Sequence, residues 1–288
     1  MGREIAWRMP KSEPLVSHVS DTARWTAYYR ATESARPDAL FNDFLAERLA
    51  GEHGRAIAAR APRTVRSGWW LVARTKIIDD VILNAIADGC DRVLNLAAGL
   101  DTRPYRLDLP PEFEWVEADL PGLLTEKAQL LADEAPRCRL TRTAVDLADT
   151  RARAAFLDQA LAGASKALVL TEGLLMYLDD NEVIEFSATL NRPEVAWWTL
   201  DFVSPGLRRL MNKRSGMLQS APFRFAPDNG VAFFEDLGWQ VAEVEPLAEV
   251  AYRLDRLPPL MRLAARLPQP DPRRPGVRPW GAAVCLSR

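Results

Sequence analysis

Residues 93–103, which read VLNLAAGLDTR, decide the fold. An apolar run of buried character ends abruptly in two alanines and Gly99, and charged residues follow at once. Small residues at such a point let a ligand come close to the backbone, because larger side chains would fill that space. The stretch therefore predicts a strand whose carboxyl end lies under a ligand.

Short apolar runs alternate with helical patterns along the rest of the chain. Strands are predicted at 93–98, 113–118, 139–145, 167–171, 195–202, 239–244 and 280–287. Helices are predicted between them at about 120–134, 149–162, 180–191 and 228–237. This alternation is typical of an α/β fold with a doubly wound, mostly parallel seven-stranded sheet and helices on both faces.

The first part of the chain reads as helical. Residues 21–50 follow a helical pattern that Pro37 divides into two helices, and 64–87 reads as one long amphipathic helix. We interpret the chain as a single domain with four parts. These are N-terminal helices over 1–88, a cofactor-binding core over 89–203, a lid-like insertion over 204–227, and C-terminal strands with a Pro- and Arg-rich insertion over 228–288.

Composition argues against several classes of function. The 288 residues carry a formal net charge of -2, which gives no electrostatic reason to expect nucleic acid. No apolar run reaches the ~18 residues of a membrane span, and the amino-terminal residues lack a signal-peptide pattern. Three scattered cysteines without a CxxC or Cys/His cluster predict no metal site. We expect a cytoplasmic protein that acts on a small molecule.

Acids stand at the ends of the second and third predicted strands. Asp119 follows Gly99 by about 20 residues, the distance at which an acid can accept from both ribose hydroxyls of an adenosine group. Glu117 shares its face of the strand and remains a competitor. After the third strand, Asp146 could accept from an adenine amino group while Leu147 packs on the ring. These positions predict an adenosyl ligand.

The turn after the first strand lacks the further glycines of a GxGxxG dinucleotide motif. Leu100, Asp101 and Thr102 follow Gly99 instead, which leaves no cradle for a pyrophosphate at a helix N-terminus. An adenosyl ligand without a pyrophosphate fits better. S-adenosyl-L-methionine is therefore the predicted cofactor, and NAD is the less favoured interpretation.

Four ordered stretches, LNLAAGLDTRPYRL, WVEADLP, VDLAD and LTEGLLMYL, resemble motifs of the leucine carboxyl methyltransferase family. This branch of the class I S-adenosylmethionine-dependent methyltransferases includes bacterial small-molecule O-methyltransferases, polyketide carboxyl methyltransferases among them. The resemblance covers roughly residues 20–250. It implies the class I fold and methyl transfer to a small-molecule acceptor.

The resemblance also implies which residues bind the cofactor. Ala97 and Gly99 would face its methionine part, Asp119 would hold the ribose, and Asp146 with Leu147 would hold the adenine.

Four further basic and acidic positions and one tyrosine complete the implied site. Glu172 would lie near the sulfonium end of the cofactor, and Arg74 would pair with the cofactor carboxylate. Arg24 and Arg30 both qualify as the N-terminal basic residue that the family uses near the cofactor. Tyr177 is the candidate for positioning the acceptor, and it forms the predicted catalytic pair with Glu172.

The chemistry of the acceptor follows from the scarcity of histidine, the usual general base. Only His18 and His53 occur, whereas a carboxylate acceptor is already ionised at pH 7 and needs no base. This favours a carboxylate O-methyltransferase. A phenol or hydroxyl O-methyltransferase on the same fold and a non-catalytic ligand-binding protein remain the alternatives.

The insertion at 204–227 is rich in arginine, whose planar guanidinium matches a carboxylate bidentately. We interpret it as a lid, with a solvated helical hairpin as the alternative. The predicted ligands of the acceptor carboxylate are Arg208, Arg214 and Arg224.

Overall fold

Seven strands form one sheet in the computed structural model, which describes residues 19–61, 66–214 and 221–288. They are β1 (Arg92–Leu96), β2 (Glu114–Asp119), β3 (Arg139–Ala144), β4 (Ala167–Thr171), β5 (Val195–Val203), β6 (Gln240–Pro246) and β7 (Gly281–Ser287). Their order across the sheet is β3-β2-β1-β4-β5-β7-β6. Only β7 runs antiparallel to its neighbours β5 and β6. The predicted doubly wound, mostly parallel seven-stranded sheet is confirmed.

Helices cover both faces of this sheet. Those before β4 are α1 (Val19–Ser34), α2 (Ala46–Arg60), α3 (Trp69–Ala87), α4 (Arg103–Arg106), α5 (Pro121–Leu130) and α6 (Thr150–Ala160). Those after it are α7 (Asp180–Thr189), α8 (Pro205–Arg214), α9 (Ala232–Asp236), α10 (Leu247–Arg253) and α11 (Pro259–Ala265). A 3-10 turn, Leu175–Tyr177, follows β4. In the described ranges, no helix has both the length and the apolarity that a bilayer span requires.

The central strands are buried on both faces, which explains their continuous apolar sequences. Val93 of β1 packs into one core together with α3, while Leu94, the next residue, packs into the other core together with α6 and α7. All five residues of β4 are buried. The helices thus fix the sheet from both sides and leave the carboxyl ends of β1, β2 and β4 at one edge.

The segment after Pro37 differs from the prediction. A second helix was expected there up to Ala50, but α2 begins only at Ala46. Side chains at the end of α1 hold the intervening loop instead. The N–H of Leu40 donates to Glu33 Oε1 (2.9 Å), and the N–H of Asp43 donates to Ser34 Oγ (2.8 Å). The loop places the buried Asp43 beside the turn after β1, where it accepts from the hydroxyl of Thr102 (2.6 Å).

Two other predicted helices are shorter than expected. The pattern at 228–237 gives only α9, and that at 64–87 gives α3, whose N-cap Gly68 adopts a left-handed conformation (φ 63°). In the predicted lid, α8 is helical, residues 215–220 lie outside the described residues, and the chain then returns to the 3-10 turn. The N–H of Arg224 donates to the carbonyl oxygen of Met176 there (2.7 Å).

Candidate active site

A cavity of about 640 Å³ opens at the carboxyl ends of β1, β2 and β4. Its wall is formed by α1, α3, the turns after β1 and β4, the end of β2 and the start of α5. β1 pairs with β2 on one side and with β4 on the other, so the chain order reverses at this point of the sheet. Ligands of doubly wound folds bind at such a switch point.

The turn after β1 forms the floor of the cavity. Ala97 and Gly99 both have positive φ angles, 58° and 50°. A Cβ atom on Gly99 would lie 3.4 Å from the Cβ of Ala23 on α1. A larger residue would therefore combine backbone strain with a tight contact, which explains the small residues of the VLNLAAGLDTR stretch.

Asp119 at the end of β2 binds this turn directly. One carboxylate oxygen accepts from the N–H of Gly99 and the other from the N–H of Leu120, each at 2.7 Å. Glu117, the competitor in the sequence, is fully buried and pairs with Lys127 (2.8 Å) and Arg142 (2.9 Å). Asp119 lines the cavity and Glu117 does not. Asp119 is therefore the acid of β2 that a ligand can reach.

Glu172 and Arg74 contact each other in the wall of the cavity. Glu172 comes directly after β4, and its Oε1 lies 2.8 Å from Nε of Arg74 on α3. Arg74 Nη1 also donates to Oδ2 of Asp201 on β5 (2.6 Å). The wall thus presents a guanidinium that the carboxylates of Glu172 and Asp201 hold between them.

Arg103 at the start of α4 extends this network. Its Nη1 donates to Asp101 Oδ2 (2.6 Å) and to Glu172 Oε2 (2.8 Å), and its Nε donates to Asp79 of α3 (2.7 Å). Asn95 Nδ2 also donates to Asp101 Oδ2 (2.8 Å). Sequence reasoning missed Arg103, Asp79 and Asp201, since the contacts of Arg103 with Asp79 and Glu172 and that of Asp201 with Arg74 join residues 24, 69 and 127 positions apart.

The network holds its carboxylates ionised. Burial raises the pKa of Glu172, but the guanidinium groups of Arg103 and Arg74 outweigh burial and lower the pKa of this carboxyl below its usual range. Burial also raises the pKa of Asp101, but the guanidinium of Arg103 outweighs burial, and the pKa of this carboxyl lies well below its usual range. Neither carboxylate is suited to take a proton near neutral pH.

The two N-terminal arginines occupy different places. Arg30 lines the cavity, donates through Nη2 to the carbonyl oxygen of Leu100 (2.6 Å) and through Nε to Asp43 (2.7 Å). Asp43 also accepts from the hydroxyl of Thr102 (2.6 Å). α1 is thereby tied to the turn after β1. Arg24 pairs with Glu126 of α5 and does not itself line the cavity.

Asp146 and Leu147 lie just beyond the end of β3. The N–H of Val145 donates to the carbonyl oxygen of Asp119, the predicted ribose ligand (3.0 Å). Asp146 and Leu147, the predicted adenine contacts, come directly after Val145 in the chain. Asp146 is exposed and accepts from the N–H of Ala148 (2.9 Å). Neither residue lines the cavity. Their contact with adenine stays a prediction.

Tyr177 ends the 3-10 turn after Glu172. Burial and the charge of Asp201 outweigh a hydrogen bond with Thr22 and raise the pKa of Tyr177 to about 12, so the phenol stays protonated. Its ring meets Phe223 edge-on at 5.7 Å between centroids. Thr22 lines the cavity whereas Tyr177 does not. The hydrogen bond with Thr22 therefore connects Tyr177 to the cavity wall.

The lid arginines have partners other than the cavity. Arg224 binds Asp179 (2.7 Å) and Glu182 (3.1 Å), the two residues that cap α7, and Arg208 donates to the carbonyl oxygen of Arg224 (2.7 Å). Neither side chain lines the cavity. The side chain of Arg214 lies outside the described residues. Their contact with an acceptor stays a prediction.

The sheet order and the position of the cavity are those of a class I methyltransferase fold. A crystal structure of a DUF574 family protein from Streptomyces avermitilis superposes with a TM-score of 0.57 at 14% identity, over 94% of this chain and 100% of that one. A candidate methyltransferase from Thermobifida fusca gives a TM-score of 0.54 at 18% identity, over 98% and 99% of the two chains.

Sequence comparison then gives the family. The family description leucine carboxyl methyltransferase matches residues 23–190. A relative from Parafrankia, named as a candidate S-adenosyl-L-methionine-dependent methyltransferase, is 32% identical over 70% of this chain and 65% of its own length. A relative of the same description from Frankia alni is 32% identical over 83% of this chain and 89% of its own. The chain belongs to the leucine carboxyl methyltransferase family.

Proposed function

We propose that this methyltransferase uses S-adenosyl-L-methionine to methylate a carboxylate of a small molecule, and that the acceptor is an acid of secondary metabolism. The observation that carries the cofactor part of the proposal is the charge of the cavity wall. Its described residues include three arginines (Arg30, Arg74 and Arg103) and four carboxylates (Asp101, Asp119, Glu126 and Glu172), a net charge of -1.

This wall charge fits the cofactor. S-adenosyl-L-methionine carries a sulfonium and an ammonium against one carboxylate, a net charge of about +1 near pH 7. A buried wall with excess negative charge favours such a ligand and disfavours the doubly negative pyrophosphate of NAD. The guanidinium of Arg74, which lines the cavity, offers a positive charge to the single carboxylate of the cofactor. Ala97, Gly99 and Gly173 line the same cavity, and their small size leaves its backbone accessible.

When bound, S-adenosyl-L-methionine supplies a methyl group that is already activated by the sulfonium. Transfer to a carboxylate forms one C–O bond and breaks one C–S bond, and no proton has to leave. The chain then needs only to align the reactants and exclude water. Arg30 and Asp119 hold the floor of the cavity in shape, and Glu172 keeps its negative charge because Arg74 and Arg103 flank it.

The ionisable groups around the cavity support an acceptor that is already deprotonated. The pKa of Glu172 is lowered, and that of Tyr177 is raised to about 12, so neither group titrates near neutral pH as a general base should. His53, the histidine within the described residues, pairs with Asp21 at 3.1 Å and does not line the cavity. A phenol, with a pKa near 10, would need such a base.

The proposal is tested by methyl transfer. The purified protein is incubated with radiolabelled S-adenosyl-L-methionine and panels of small carboxylic acids and of phenols at equal concentration. The proposal predicts labelled products from the acids, and mild base should release the label as methanol because it hydrolyses methyl esters. Base-stable products from the phenols would refute the carboxylate assignment and leave the cofactor assignment intact.

A further inference from the structure

Asp201 is a charged residue in a buried part of the sheet. It lies on β5 between Leu200 and Phe202, both of them buried, and its own side chain is only 5% exposed. A central strand that is covered on both faces is normally apolar throughout. An ionised carboxylate at such a position is costly unless it is paired and hydrogen-bonded.

Both oxygens of Asp201 bind groups of the cavity wall. Oδ2 accepts from Nη1 of Arg74 at 2.6 Å, and Oδ1 accepts from the N–H of Gly173 at 2.8 Å. Asp201 itself does not line the cavity. Its influence on a ligand in the cavity would therefore pass through these two partners.

The two partners of Asp201 flank Glu172. Gly173 follows it along the chain in a left-handed conformation (φ 71°), and a Cβ atom at Gly173 would find no heavy atom within 4 Å. The hydrogen bond from the N–H of Gly173 to Asp201 ties this turn to β5. Arg74 contacts Glu172 from α3 at 2.8 Å. One carboxylate thus fixes the positions of both the guanidinium and the turn.

We propose that Asp201 is a positioning residue that holds the guanidinium of Arg74 and, through the turn at Gly173, the carboxylate of Glu172 in place at the cavity wall. The inference rests on the proposed function, because the ligand that it concerns is S-adenosyl-L-methionine. Asp201 orients the two wall residues before the ligand arrives, so the ligand does not have to order them at the cost of affinity.

The test is calorimetric titration of S-adenosyl-L-methionine into the full chain and into Asp201→Asn. Asparagine has the same shape, and its oxygen can still accept from Gly173. Its amide N–H₂ would face the N–H groups of Arg74, so the ion pair is lost. We expect Kd to rise about 10- to 100-fold, the effect of losing one charged hydrogen bond.

Glu117→Gln is the matched control. Glu117 is a fully buried carboxylate of β2 with two cationic partners, but neither Lys127 nor Arg142 lines the cavity. The control should lower the melting temperature as Asp201→Asn does and leave Kd unchanged. If both variants weaken binding equally, Asp201 is merely structural and the inference is overturned.

A double-mutant cycle with Arg74→Met, which removes the guanidinium, tests whether the effect passes through Arg74. In that background, Asp201→Asn should change Kd by no more than about twofold, since coupled residues are not additive. Equal effects in both backgrounds would overturn the inference. If Asp201→Asn does not fold, Asp201→Glu takes its place in the test, because glutamate keeps the charge but displaces it by one methylene group. Wild-type affinity in Asp201→Glu would also overturn the inference.

The wild-type titration separates this inference from the proposed function. If wild type does not bind S-adenosyl-L-methionine, the proposed function fails and the inference falls with it. If wild type binds and Asp201→Asn binds equally well, only the role of Asp201 is refuted.

Discussion

Replacing Asp119 by asparagine should weaken cofactor binding and loosen the turn after β1. The carboxylate accepts two backbone hydrogen bonds of 2.7 Å, from Gly99 and from Leu120. Asparagine has one acceptor oxygen, so one of these N–H groups would face an amide N–H₂. Losing a charge-assisted hydrogen bond at this 8% exposed residue should lower the free energy of unfolding by about 1.5–3 kcal/mol.

The effect on the cofactor adds to the effect on stability. A ribose hydroxyl that donates to the Asp119 carboxylate would lose the charge of its acceptor, so Kd should rise about 10- to 100-fold. Calorimetric titration of S-adenosyl-L-methionine gives Kd, and urea unfolding of the ligand-free protein gives the stability.

Asp149→Asn is the control for this prediction. Asp149 also accepts two backbone N–H groups, from Arg151 (2.8 Å) and Ala152 (3.1 Å), but it caps the exposed start of α6 and does not line the cavity. Asparagine caps helices about as well as aspartate, so this variant should behave as wild type. Unchanged affinity and stability in Asp119→Asn would show that the carboxylate neither holds the turn nor meets the ligand.

Three other predictions concern the clamp on α1, the turn after β4 and the response to pH. Arg30→Lys cannot bind Asp43 and the turn after β1 together, so we expect a higher Kd for S-adenosyl-L-methionine and faster amide exchange in that turn; unchanged exchange would contradict the clamp. Gly173→Ala meets no steric clash but must adopt a positive φ, so urea unfolding should show a loss of about 1 kcal/mol; a gain in stability would refute this. Because the folded-state pKa values of Glu172 and Asp101 are lowered, their stabilisation is present at neutral pH and should be lost as pH falls below about 4, near the unfolded values; urea midpoints that stay constant down to pH 3 would disprove it.

The sheet and the floor of the cavity could be predicted from the sequence because their signals are local. β4 has its predicted bounds, since an apolar run bounded by polar residues needs no distant partner to be recognised. The small residues around Gly99 mark the turn by their size alone. Asp119 follows from its place at the end of a strand.

The loop before α2 and the ion-pair network could not be predicted in the same way. Local pattern gave a helix after Pro37, whereas Asp43 is held in a loop by tertiary partners. Arg74 and Asp201 are 127 positions apart in the chain, and no period in the sequence connects them. The sequence predicted that Arg224 binds the acceptor. In the fold it pairs instead with Asp179 and Glu182, which cap α7.

The most direct test of the central claim is a pair of calorimetric titrations, S-adenosyl-L-methionine and NADH, each into the wild-type protein. The wall charge, the guanidinium of Arg74 and the lack of a GxGxxG pattern in the turn at Gly99 predict saturable binding of S-adenosyl-L-methionine at one site per chain and no heat from NADH. Saturable binding of NADH without any response to millimolar S-adenosyl-L-methionine would contradict the account.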